Sequence, residues 1–225
     1  MQLLSGPDLE TFALTLRLAA TVTALLLLLG LPLAWWLATT RSRWQRPVAA
    51  LVALPIVLPP TVLGFYLLLV LGPEGVVGRL LDALGMAPLP FSFRGLVVAS
   101  MLYSLPFVVQ PLHDAFAASG RRPLETAACL GAGPLDRFAS VALPMAWPGV
   151  VTASVLGFAH TVGEFGVVLM IGGNIPGHTR VLSTQIYDYV EAGNYQHAQV
   201  LSLILLSVAF LALLCMALLR PRRRA

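Results

Sequence analysis

Residues 12–39 contain a single charged side chain, Arg17, and a run of that length and polarity has few possible fates. Crossing a bilayer core takes about 20 consecutive apolar residues in a helix that rises 1.5 Å per residue. This run is longer than that and predicts a tilted transmembrane helix. Asp8 and Glu10 precede it where a secretory leader would carry basic residues, so the run reads as a retained span. Arg17, close to its start, is placed to snorkel toward the interface.

The pattern recurs. Further apolar runs at 47–71, 95–118, 149–171 and 197–219 predict four more spans. With 58% hydrophobic and 11% charged residues the chain is too apolar for an ordinary soluble domain. It reads as an all-α integral membrane protein, one domain over 1–225, built as a bundle of about five transmembrane helices. Pro55, Pro59 and Pro60 interrupt the second run and remove backbone donors. That leaves two readings, a kink buried against neighbouring helices or a broken helix lining a pathway. Between the second and third runs, Val76, Val77, Leu80, Leu81 and Leu84 fall at helical spacing and predict a short helix on the membrane surface. Cys129 lies in a loop and Cys215 in the last apolar run, which implies neither a disulfide nor a metal framework.

All 14 basic residues are arginines, and their distribution orients the bundle. Positions 41, 43, 46, 121, 122, 137, 220, 222, 223 and 224 fall on one side, and positions 17, 79, 94 and 180 on the other. The richer side is expected in the cytoplasm. The N-terminus and the loops 72–94 and 172–196 are then outside, while the C-terminus and the loop 119–148 are inside. In a membrane protein this basic excess speaks to lipid and orientation, and no nucleic-acid partner is expected. The C-terminal Arg220, Arg222, Arg223 and Arg224 read as an anchor at the cytoplasmic lipid surface.

The cytoplasmic loop is the least membrane-like stretch of the chain. Pro123 fixes its entry, residues 124–130 suit a short helix of small and apolar residues, and Gly131 and Gly133 with Pro134 allow a sharp turn. Residues 135–142 can return the chain as a second helix. A short helix with an Ala-rich face and one carboxylate suits insertion into a partner's groove; it also suits a plain interfacial turn.

At these residues the sequence resembles the cytoplasmic loop of permease subunits of binding-protein-dependent ABC importers. That loop reads Glu-Ala-Ala, three variable residues, Gly, a fixed gap, a branched residue, any residue and Leu-Pro. The matching positions here are Glu125, Thr126, Ala127, Gly131, Val141, Leu143 and Pro144, with both gaps intact and Ala128 among the small residues. Thr126 departs from the pattern but is also small. LPIVLPPTVLGFYLLL at 54–69, GEFG at 163–166 and NIPGHTR at 174–180 are similar to molybdate permeases, with sulfate and tungstate permeases as relatives. The resemblance implies a homodimer of permeases, two cytoplasmic ATPase subunits and an external substrate-binding protein. It also implies that 119–148 couples the ATPase to the spans. ATP and magnesium would then belong to the partner, since a chain without lysine cannot hold a GxxxxGK[ST] phosphate loop. No catalytic or metal site is expected here.

Within the fourth run, His160, Thr161 and Glu164 are the candidates for the pathway or its gate. A carboxylate inside a span costs about 2.5–3.5 kcal/mol on insertion scales and is functional by default. Since an acid repels a dianion, Glu164 is expected to serve structure or gating ahead of direct substrate contact. His160, four residues earlier on the same helical face, is its expected partner. Ser100, Ser104, Thr152, Ser154 and Thr161 are candidate path-lining or interhelical hydroxyls. A self-contained secondary transporter or channel is the alternative class, disfavoured by the odd span count and the lack of an internal repeat. A membrane enzyme ranks below both, because no nucleophile, base or metal constellation is visible.

Overall fold

The computed structural model describes residues 6–219, so the arginines at 220, 222, 223 and 224 lie outside the described residues. Among the described residues every regular element is helical. In chain order these are α1 (Gly6–Thr39), α2 (Gln45–Val57), α3 (Pro60–Leu71), α4 (Val76–Ala83), α5 (Phe93–Ser119) and α6 (Arg122–Cys129). Then come the short α7 (Pro134–Asp136), a π-helical turn Arg137–Ala142, the short α8 (Leu143–Met145), α9 (Trp147–Val162), α10 (Gly166–Gly172), α11 (Leu182–Glu191) and α12 (Tyr195–Leu219).

Four stretches are long and apolar enough to cross a membrane: Gly6–Thr39, Pro60–Ala83, Phe93–Ser119 and Tyr195–Leu218. The pair Pro134–Met145 and Trp147–Val162, bent by 73°, makes a fifth if counted as one span. The bend falls just before Pro148, which cannot donate a helical hydrogen bond. Two expected boundaries move. The run 47–71 is broken between Val57 and Pro60, with α2 ending at an extended Leu58 and α3 starting on Pro60, so the segment is two helices and not one kinked helix. The run 149–171 is also discontinuous, since α9 stops at Val162 and α10 starts afresh at Gly166.

Helix α5 is the hub. On one side α1 and α9 pack against it through Leu18, Val22, Leu26, Val108, Leu112 and Ala153, all essentially inaccessible. On the other, α3 and α10 close over Ala99 with Leu67, Leu71, Val167 and Ile171. Lipid tails are as apolar as leucine, so close backbone approach and van der Waals fit carry these contacts. A Cβ at Gly149 would fall 2.2 Å from Ala115 Cβ, and one at Gly157 2.5 Å from Val108 Cγ2, which shows how near α9 lies to α5. Gly157→Leu is expected to wedge the two helices apart at a cost of about 1–3 kcal/mol. A lowered melting temperature of the detergent-purified protein would register it. Helix α12 leaves Leu203, Leu206, Phe210 and Leu211 uncovered, the surface expected of a helix facing lipid or another subunit.

Candidate functional site

The loop between α5 and α9 has the helix, turn and return that its sequence predicts, and its termination explains its glycine. At the end of α6 the Ala132 amide donates to the Ala127 carbonyl and the Gly131 amide to the Ala128 carbonyl, both at 3.0 Å. These are the paired bonds of a Schellman cap. The residue between them must be left-handed, and Gly131 has φ 90°. A Cβ there would meet nothing within 4 Å, so the backbone conformation, not space, demands glycine. Glu125, Thr126, Ala128, Gly131 and Pro144 are exposed and Ala127 and Leu143 are half-buried. At the tip Leu130 and Leu135 are 85% and 83% accessible, too apolar to be left in water without purpose.

The loop is tied rigidly to the spans. Leu124, Phe138 and Leu143 pack onto the main core cluster. Trp35 near the end of α1, Phe116 near the end of α5 and Phe138 of the π-helical turn Arg137–Ala142 form an aromatic cluster. Its centroid separations are 5.3 Å for Trp35 to Phe116, 5.6 Å for Trp35 to Phe138 and 6.1 Å for Phe116 to Phe138. Arg121 Nη2 donates to the Thr39 carbonyl at 3.1 Å. The loop therefore contacts the ends of α1 and α5 together. Sequence reading missed this cluster, because rings contributed by three distant segments leave no local pattern.

The second site lies where α9 breaks. His160, Thr161 and Glu164 do converge with α5, although His160 and Glu164 do not pair. His160 Nδ1 lies 2.9 Å from Ser104 Oγ, and its ring stacks on Phe107 with centroids 3.8 Å apart. Ser104 Oγ also meets Thr161 Oγ1 at 3.0 Å, and Thr161 donates on to the Gly157 carbonyl at 2.9 Å. The expected i,i+4 register is lost because the helix has ended at Val162 before Glu164 is reached. The break is held from two sides. The Ser183 hydroxyl donates to the Glu164 carbonyl. Gly166 and Gly64 let α10 and α3 meet so closely that Cβ atoms there would lie 2.9 Å from Pro60 Cβ and 2.7 Å from Met170 Cβ.

Glu164 is only 3% accessible, and neither carboxyl oxygen has a hydrogen-bond partner. The buried Ser100 hydroxyl lies beside it as the carboxyl group's nearest polar neighbour on α5. A cleft of about 490 Å³ opens against this place, lined among others by Thr61, Tyr103, His160, Gly163, Glu164 and Phe165. Of the other candidate hydroxyls, Thr152 and Ser154 donate to carbonyls of their own helix at 2.9 and 2.7 Å. Thr61 and Tyr103 were not among the expected residues; nothing in the sequence distinguishes them from other polar residues in apolar runs.

At the opposite end of the bundle from the loop between α5 and α9, the NIPGHTR stretch is a tied turn. Asn174, at φ 55°, donates to both carboxylate oxygens of Asp188 at 2.8 Å, and Arg180 Nη2 lies 3.3 Å from Asp188 Oδ2. Thr179 Oγ1 closes the turn by donating to the Gly172 carbonyl at 2.6 Å. Nearby, Tyr187 donates to Glu191 at 2.6 Å; that bond and the carboxylate's charge hold the phenol above its ordinary pKa. Buried Asp8 of α1 accepts from Gln185 Nε2 at 2.6 Å and from the Tyr189 hydroxyl at 2.9 Å, locking α11 onto the first span.

These features can be set beside known proteins. The family described as binding-protein-dependent transport system inner membrane component matches residues 30–225. The molybdenum transport system permease protein ModB of Azotobacter vinelandii is 60% identical over 93% of both chains. A probable sulfate transport system permease protein cysT of Anthoceros angustus is 33% identical over 92% of this chain and 71% of its own. Among solved structures, a chain of a bacterial alginate ABC transporter in complex with alginate pentasaccharide-bound periplasmic protein superposes with a TM-score of 0.78 at 19% identity. That match covers 94% of this chain and 77% of the other.

Proposed function

Because this chain belongs to the family of binding-protein-dependent transport system inner membrane components, we propose that it is the permease through which an ATP-driven importer moves molybdate across the inner membrane. The observation that carries this is the 60% identity to a molybdenum permease over nearly the whole of both chains. The weaker likeness to a sulfate permease, 33%, puts sulfate second. The protein is a transport subunit of an ABC importer, and the ATPase is a separate partner.

The assembly we propose has two copies of this chain, two cytoplasmic ATPase subunits and one external binding protein that delivers the anion. The N-terminus is outside and the C-terminus inside, which puts α6 against the ATPase. Closure of the ATPase on ATP moves α6, and the Trp35–Phe116–Phe138 cluster passes that movement into α1 and α5. Since α5 also carries Tyr103 at the cleft and Ser104 against the cleft residue His160, the same helix joins ATPase contact to pathway. No span carries a central arginine that would hold the dianion, so selection is left to the external protein.

Reconstitution tests the function. Proteoliposomes containing the permease and its ATPase, with binding protein added outside, should take up labelled molybdate only when ATP is inside, with excess sulfate competing weakly. Equal uptake of sulfate would overturn the substrate assignment, and uptake without ATP the importer itself. Orientation is tested separately. A cysteine placed at exposed Gly177 should react with an impermeant thiol reagent in intact cells, while exposed Cys129 should react only after permeabilisation. The reverse pattern would overturn the topology.

A further inference from the structure

Trp35, Trp36, Trp44 and Trp147 are all four tryptophans of the chain, and every one lies at the end of the bundle that bears the coupling loop. Trp44 and Trp147 are 60% and 59% accessible. Tryptophan collects where hydrocarbon meets headgroups, so this end of the bundle lies at headgroup depth. The same level is rich in uncompensated positive charge. Among the described residues, none of Arg41, Arg43, Arg46, Arg121, Arg122 and Arg137 forms an ion pair, whereas Arg79 and Arg180 on the far side pair with Glu74 and Asp188.

Between the end of α1 and the coupling loop lies a cleft of about 300 Å³, with Trp35, Leu124 and Pro134 as apolar walls and Arg121, Arg137 and Glu125 as charged groups. Arg137 is held there with its Nε buried and without a hydrogen-bond partner. Arg121 spends one N–H on the Thr39 carbonyl, and a guanidinium has five. A buried donor without an acceptor is a cost the fold carries unless something outside the chain supplies the acceptor.

We infer that this cleft binds the headgroup of a phospholipid, its phosphodiester between Arg121 and Arg137 and a hydrogen-bond donor of the headgroup, an ammonium or a glycerol hydroxyl, on Glu125. Two guanidiniums and one carboxylate match a headgroup that carries both an acceptor and a donor, as phosphatidylethanolamine and phosphatidylglycerol do and phosphatidylcholine does not. The apolar walls fit the glycerol and the start of the acyl chains. Basic pockets between helices on the cytoplasmic side hold lipid phosphates in other membrane proteins. A protein occupant fits less well, because the most exposed apolar side chains of the loop are at its tip, Leu130 and Leu135, and neither lines the cleft, whose walls include Trp35 and Thr39 at the end of α1. A lipid seated there ties α6 to α1 through its headgroup and stiffens the path from ATPase to span. The inference rests on the permease reading for that consequence and on no part of it for binding.

Native mass spectrometry of the whole complex, released from nanodiscs of each lipid, tests it. Phosphatidylethanolamine and phosphatidylglycerol should be retained and phosphatidylcholine not. Each of Arg121→Gln and Arg137→Gln should lower retention about fivefold, while Arg137→Lys restores part of it and Arg79→Gln changes nothing. ATP-driven uptake should fall in phosphatidylcholine alone while the complex stays assembled. Equal retention of all three lipids, or retention unchanged in the Arg121→Gln/Arg137→Gln double variant, overturns the site. So does displacement of the lipid by inorganic phosphate, which would make it a site for free phosphate, or retention only when the ATPase is absent, which would give the cleft to the ATPase. A complex that binds lipid as expected but imports nothing leaves the lipid site standing and defeats the permease reading.

Discussion

Replacing Gly131 by valine is expected to abolish ATP-driven uptake in a protein that still inserts and folds. Gly131 has φ 90°, a region in which a β-branched side chain is strained by about 1–3 kcal/mol. The chain can escape that strain by giving up the cap. The bonds from the Gly131 and Ala132 amides to Ala128 and Ala127 are then lost, and α6 no longer ends where the turn to Pro134 begins. The substitution meets no neighbour and touches no buried residue, so the bundle is not disturbed. The signature is therefore a split. The detergent melting temperature should stay within about 3 °C of the parent, because the cap is local and stabilises no core contact. Copurification with the ATPase and molybdate uptake should fall at least about tenfold, since 1.4 kcal/mol of lost contact is tenfold in binding. Gly131→Asn, which tolerates a left-handed backbone better, should recover much of both. Full uptake by the valine variant would remove α6 from the coupling path.

Helical class, a count of four to five spans and the shape of the loop were legible because each rests on local signals: apolar length, and glycine and proline at fixed offsets. Gly131 could be predicted at the turn, and Pro60 at a break, for the same reason. The failures have a common cause as well. The periodicity of 149–171 stays apolar straight through Gly163, so a continuous helix is the natural expectation. The break arises because α10 gains a close seat on α3 through Gly64 and Gly166, a contact between segments a hundred residues apart. Once the helix breaks, His160 turns to Ser104, and Glu164 is left to a different neighbourhood. Trp35, Phe116 and Phe138 were likewise invisible as a group, although each is a ring near a helix end.

Glu164→Lys is expected to leave no functional permease, and Glu164→Gln to leave most of it. Glu164 is 3% accessible, no cation faces it among the described residues, and the Ser100 hydroxyl lies beside its carboxyl group. A lysine there places an ammonium where nothing can receive its charge, a penalty of several kcal/mol in a low-dielectric interior. Set against a total stability of about 5–15 kcal/mol, that is enough to empty the folded state. Glutamine keeps the shape, fills the same space between α5 and α10, and carries a smaller burial cost because it is uncharged. Uptake by the glutamine variant should remain within about threefold of the parent, which is less than 1 kcal/mol in the barrier. Glu164→Ala separates shape from chemistry: it leaves a void and an isolated Ser100, and should lower the melting temperature without the collapse seen for lysine. If glutamine instead costs as much as lysine, the carboxylate itself is required, and Glu164 acts on the passing anion or its gate through charge. Glutamine-like behaviour assigns Glu164 to the fit of α10 on α5 beneath the cleft, with the dianion passing a surface that is polar and neutral.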